Sequence, residues 1–158
     1  MNPLLIFAII GYTCEFVEKG AVFSQARAKA NQLGKPLLNA GCGNLYWEAI
    51  YGSDVNLDNK PRNVPRFVLG SIEDIPYPDK YFGVVFCSHV LEHTDNWHKA
   101  YSELNRVADY IYIIVPKPIW VSNWLNLDHK RFFIGNEVYE RTDQGWRAEH
   151  ISDEVYER

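Results

Sequence analysis

The sequence predicts an α/β fold: an open, mostly parallel sheet with helices on both faces, followed by a C-terminal antiparallel hairpin. Three observations predict it. Short apolar runs recur from "KPLLNAG" to "DYIYIIVP", and helix-like segments precede and separate them. Most of these runs are apolar throughout rather than alternating, as expected of strands covered on both faces. The tail, "KRFFIGNEVYERTDQGWRAEHIS", instead contains strand-like runs joined at a turn sequence, "TDQG".

In chain order, residues Leu4 to Glu18 read as a helix and Val22 to Leu33 as a second, rich in Ala, Gln, Arg and Lys and stopped by Gly34. "KPLLNAG", "DVNLD" and "RFVLG" are short buried strands. "YFGVVFCS" and "DYIYIIVP" are stronger ones, the second ended by Pro116. Between them Thr94 or Asp95 is placed to cap a helix through "NWHKAYSELNRV", with Trp97, Ala100, Tyr101, Leu104 and Val107 on one face. The hairpin is expected at the edge of the sheet. The apolar opening, "MNPLLIFAIIGYTCEFVEKG", is interrupted by Glu15 and Glu18 before it reaches the roughly 20 residues a span needs, and it lacks the positive start of a signal peptide. It reads as a docked or amphipathic helix, whose apolar surface could also serve a peripheral membrane or dimer contact.

At 158 residues the chain has the size of one domain, able to bury roughly two thirds of its unfolded surface. The expected organisation is a single domain over 1–158: N-terminal helices to 33, a core over 36–116, and a rim with the hairpin over 117–158. A net charge of −4 gives no basic field, so nucleic acid is not an expected partner. Cys14, Cys42 and Cys87 are an odd set without C-x-x-C spacing, which argues against a disulfide framework and a thiolate zinc site and fits a reducing cytoplasm.

The chemistry begins at "LLNAGCGNL". Glycines at 41 and 43, just after a strand, let the backbone bend and approach a ligand with no Cβ in the way. Alone this is equally ordinary turn chemistry. The next strand ends at Asp58, seventeen positions beyond Gly41 and near the spacing of about 20 at which a carboxylate accepts a ribose hydroxyl pair. A nucleoside fits better than a dinucleotide, because Tyr46 stands where the third glycine of G-x-G-x-x-G belongs.

Three blocks, "LLNAGCG", "VNLD" and "GSIEDIPYPDKYFGVVFCSHVLEHTDN", together resemble the class I S-adenosylmethionine-dependent methyltransferases of the small-molecule type with a "VLEH" segment. The resemblance implies a Rossmann-like fold, S-adenosylmethionine as cofactor and a small-molecule methyl acceptor. It implies that Asn39, Gly41, Cys42 and Gly43 line the methionine end and ribose, Asp58 holds the ribose hydroxyls, and Ser71, Ile72 and Glu73 border the adenine. Ser88 and His89 would face the methyl group and acceptor. The family usually has an acid at Asn39, a small residue at Leu45 and often an Asp at Ser71. Asn39 can hydrogen-bond but cannot offset an ammonium charge.

"HVLEH" also spells H-x-x-E-H, a zinc-peptidase motif that needs both histidines on one helix face. His89 directly follows a strong strand, so no metal is expected there. His93 is read as a packing or turn residue, Glu92 as a structural hydrogen-bond acceptor, and His89 as the residue near chemistry. Further on, Trp120 and Trp124 could form an apolar lid, and His129 is a second candidate base or substrate contact. Asp128, Lys130 and Arg131 are expected to form a solvated hinge.

Overall fold

The computed structural model describes residues 3–117, 128–135, 137–143 and 145–150. Its main sheet holds β1 (Leu37–Ala40), β2 (Val55–Asp58), β3 (Phe67–Leu69), β4 (Phe82–Ser88) and β5 (Ala108–Ile114), in the order β3-β2-β1-β4-β5 and parallel throughout. The order reverses between β1 and β4. In such a sheet the carboxyl ends of those two strands flank the ligand crevice.

Helices cover both faces. On one, Phe23, Ala26 and Ala30 of α1 (Pro3–Leu33) pack with Leu37, Val84 and Phe86, joined by Ala49 of α2 (Trp47–Gly52). The two alanines let the helix lie close to the sheet, and the Phe23 ring meets Phe86 edge-on with centroids 5.3 Å apart. On the other face, Ala100, Leu104 and Val107 of α3 (Trp97–Val107) pack with Leu38, Ala40, Val85 and Cys87. The alternation of Val84 and Phe86 with Val85 and Cys87 is the period of two of a strand, with both faces apolar because both are covered.

Three expectations need correction. The two N-terminal helices are one, unbroken through Gly20. An interior glycine costs a helix about 1 kcal/mol relative to alanine, and the burial of Phe23, Ala26 and Ala30 outweighs that. The cap of α3 is Asn96, whose side chain accepts from the Lys99 N–H at 3.0 Å, not Thr94 or Asp95. The tail forms its own antiparallel sheet of β6 (Arg131–Ile134), β7 (Glu137–Thr142) and β8 (Gly145–His150). The β7–β8 hairpin does turn at "TDQG", but Phe133 and Val138 pack on Trp97 and Tyr101 of α3, which seats this sheet against the helix instead of the edge of the main sheet. Among the described residues no helix is long and apolar enough to cross a membrane.

Neither β2–β3 nor β3–β4 is joined by a helix. Hydrogen bonds between the 70–81 loop and α3 with its approach fix the loop instead. Glu73 Oε1 accepts the Asp95 and Asn96 N–H groups at 2.8 and 3.0 Å. Farther along α3, Glu103 accepts the Ile75 N–H at 2.8 Å and binds Arg106, whose guanidinium also donates to the Ile75 and Tyr77 carbonyls. The Arg106 hydrogen bond holds the Glu103 carboxyl below the usual carboxylate range despite its burial. A folded-state value below the unfolded one means that this stabilisation is complete above the unfolded carboxylate value, about 4.3, and is lost as pH falls through the folded value. Glu103→Gln is therefore expected to lose about 1–2 kcal/mol at neutral pH, and the gap to the parent should narrow in thermal melts below about pH 4.

Candidate functional site

The turn after β1 is held onto the end of β2. Gly41 and Gly43 adopt φ of 71° and 54°, in the region that glycine enters without penalty. In that conformation the Gly41 and Cys42 N–H groups both donate to the Leu57 carbonyl, at 2.8 and 3.0 Å. The Gly43 N–H donates to Asp58 Oδ2 at 2.9 Å. Lys60 N–H donates to Oδ1 at 3.0 Å, and Arg62 Nε lies 3.2 Å from Oδ2. Loop and carboxylate are thus adjacent, as the spacing in sequence implies.

Beside them opens a cavity of about 720 Å³ at the carboxyl ends of the strands, within the 300–1,000 Å³ range of small-molecule sites. Gly41, Gly43, Asp58, Ser71, Ile72, Glu73 and His89 line it. Four other expected residues do not. Asn39, paired across the strands with Asn56, is turned onto it, with its Nδ2 donating to Asn56 Oδ1 at 2.9 Å. The Cys42 side chain is buried beneath the turn, and burial pushes its thiol up to about 11, so it is a packing group. Ser88 ends β4 short of the lining. His129 is buried behind the wall, edge-on to Phe132 and His93. Trp120 and Trp124 lie outside the described residues.

"HVLEH" does not form one helix face. His89 has φ of 57° and closes the sheet through its N–H to the Ile114 carbonyl at 2.8 Å, and only then does a 3-10 turn run over Leu91–His93. Burial, with Lys19, His129 and His93 nearby, pushes the His89 imidazole down to about 3. That shift favours the neutral imidazole, on a side chain that lines the cavity.

Glu92 and its surroundings also differ from expectation. Its side chain is 0% exposed, and neither carboxylate oxygen has a hydrogen-bond partner, so it is no structural acceptor. Burial pushes it up to about 8. Its Oε1 lies 3.6 Å from His89 Nδ1 and 3.8 Å from His93 Nε2. His93 lines the cavity, and its Nδ1 donates to the Asp128 carbonyl at 2.9 Å. Of the expected solvated hinge, Asp128 and Lys130 are exposed, whereas Arg131 is buried and anchored. Arg131, 3% exposed, donates to the Leu91 and Thr94 carbonyls at 2.9 and 2.7 Å, and the Lys130 N–H donates to the Glu92 carbonyl at 2.8 Å. Asp128 and Lys130 complete the wall, with Lys130 paired to Asp95.

Strand order and site together define a Rossmann-like α/β domain with a nucleoside-sized cleft at its switch point. Residues 38–109 match the family model of the methyltransferase domain. No curated protein matches the chain. Among solved structures it is similar to the YcgJ protein of Bacillus subtilis, with 23% identity and a TM-score of 0.46, over 57% of this chain and 45% of that one. It is also similar to the PH0226 protein of Pyrococcus horikoshii OT3, with 15% identity and a TM-score of 0.46, over 76% and 70%. A third is an S-adenosylmethionine-dependent methyltransferase of Mesorhizobium loti, with 11% identity and a TM-score of 0.43, over 77% and 59%. The chain thus spans less than half the length of YcgJ.

The turn itself can be tested through Val90. A Cβ on Gly41 would come within 2.3 Å of Val90 Cγ2, in addition to the strain at φ of 71°. Gly41→Ala is expected to cost about 2–4 kcal/mol in chemical denaturation, a steric clash and a left-handed alanine together. Adding Val90→Ala to that variant should relieve the clash and leave the backbone strain, so the double variant should unfold at a denaturant concentration above that of Gly41→Ala alone.

Proposed function

We propose that the protein transfers a methyl group from S-adenosylmethionine to an oxygen, nitrogen or carbon atom of a small molecule. The observation that carries this reading is the Gly43 N–H to Asp58 hydrogen bond across adjacent strand ends, with an open cavity beside it. The cofactor supplies a methyl carbon on a sulfonium sulfur, so that the carbon–sulfur bond breaks as the bond to the acceptor forms.

The chain's own residues bind, orient and exclude water. Gly41 and Gly43 offer bare backbone, Asp58 accepts the ribose hydroxyls, and Ser71, Ile72 and Glu73 border the base. Glu73 is suited to this because its bonds to Asp95 and Asn96 keep the loop fixed before the ligand arrives. His89 stands on the acceptor side of the cavity. Alignment of the reacting atoms in a shielded cleft supplies roughly 7–11 kcal/mol of barrier lowering. The negative net charge supports a small acceptor over nucleic acid, and free Cys14, Cys42 and Cys87 support a reducing, cytoplasmic setting. Exposed Phe16 and Val17 on α1 are available for a peripheral membrane or dimer contact. A second reading, nucleoside binding without turnover, is favoured by one observation: Asn39, where the family has an acid, is committed to Asn56.

Calorimetry with S-adenosylhomocysteine tests the site. Asp58→Ala is expected to weaken binding by about 10-fold or more, and unchanged affinity would remove the assignment. Arg62→Ala should act in the opposite direction. Its guanidinium occupies Asp58 Oδ2 and must leave before a ribose is held there, so its removal is expected to tighten binding by up to about 5-fold. Release of S-adenosylhomocysteine on incubation of S-adenosylmethionine with a small-molecule acceptor panel separates turnover from binding alone.

A further inference from the structure

We propose that Glu92, His93 and His129 form a binding site for one divalent transition-metal ion, with zinc the best chemical match, at the rim of the cavity. One ligand atom from each lies within 4.8 Å of the others. A tetrahedral zinc ion spaces its nitrogen and oxygen ligands by about 3.3 Å, so small rotations of three side chains close the site. The donor set of two imidazoles and one carboxylate is one that zinc accepts, and it leaves a fourth coordination position open.

Two independent observations point to a cation. The first is Glu92 itself: a wholly buried carboxylate whose two oxygens lack hydrogen-bond partners is costly unless an ion takes them. Nearby Arg131 gives its hydrogen bonds elsewhere, to the Leu91, Thr94 and Asp95 carbonyls, the Thr94 hydroxyl and Glu140. The second is the orientation of His93. With Nδ1–H fixed on the Asp128 carbonyl, the neutral ring carries its lone pair on Nε2, the atom 3.8 Å from Glu92 Oε1. A backbone carbonyl behind a ligating histidine is the usual outer support of a metal site. That carbonyl belongs to the residue before His129, and the Lys130 N–H to Glu92 carbonyl bond holds the two ligand-bearing segments together. The pairing is therefore not the one "HVLEH" suggests. His93 joins a histidine 36 positions away, and His89 stands 3.6 Å from the same Glu92 oxygen as a neighbour.

The proposal does not rest on methyl transfer, and one variant separates the two. The full chain, stripped with chelator, is titrated with Co²⁺ and followed by visible absorption. One Co²⁺ per chain is expected, with the bands of a four- or five-coordinate nitrogen and oxygen site that equimolar Zn²⁺ abolishes. His93→Ala and His129→Ala should each weaken Co²⁺ binding by about 100-fold or more. Asp58→Ala should keep full Co²⁺ binding while losing S-adenosylhomocysteine. His93, with its side chain 38% exposed, tolerates replacement best, so His93→Gln decides the matter if His129→Ala does not fold. A folded parent that gives no Co²⁺ absorption, or a His93→Gln variant that binds Co²⁺ as the parent does, overturns the site.

Discussion

The cleft depends on the way the first strand hands over to its turn. Two successive N–H groups, of Gly41 and Cys42, converge on one carbonyl at the end of β2, and the next N–H, of Gly43, reaches the carboxylate one residue on. The curl needs left-handed backbone at its first and third residues, and both are glycines. The curl places the turn against a carboxylate whose position is fixed by strand pairing rather than by a flexible linker. Asn39 and Asn56 reinforce the same joint from below, since Asn56 also donates to the Ile50 and Pro65 carbonyls and so ties both flanks of β2.

The chain reaches this arrangement with little material. β2, β3 and β4 follow one another without intervening helices, and the long loop before β4 rests on the apolar seats of Ile72, Ile75 and Tyr77 and on Lys80, which donates to the Asn105 and Ala108 carbonyls. Two glutamates add to this: Glu73 at one end of α3 and Glu103, with Arg106, toward the other. Charge-assisted hydrogen bonds to backbone groups are among the stronger polar contacts, and here they hold the loop whose residues line the cavity.

Much of this was legible in the sequence. The five strands stand out as apolar runs, and the glycine turn and Asp58 can be paired because their spacing reflects one strand–turn–helix–strand passage. What could not be read depends on tertiary contact. The six-residue helix α2 buries only Ala49 and Ile50, too few positions to show a period. Asn39 looked like a cofactor residue because its partner Asn56 becomes visible only once strand register is known. Gly20 looked like a break because the packing that overrides it involves Phe86 and Val84, more than sixty positions away. Glu92, His93 and His129 could not be grouped from spacing, since their approach requires the segment before β6 to dock on the 3-10 turn.

That docking links distant parts of the molecule. The guanidinium of Arg131 is anchored in carbonyls beside the cavity, while its own strand pairs with β7, and the Arg141 N–H reaches back to the Lys130 carbonyl at 2.7 Å. The small sheet is therefore tied directly to the cavity wall. A change in the pairing of β6 with β7 is thus a change at the two residues, Lys130 and Arg131, that brace the wall.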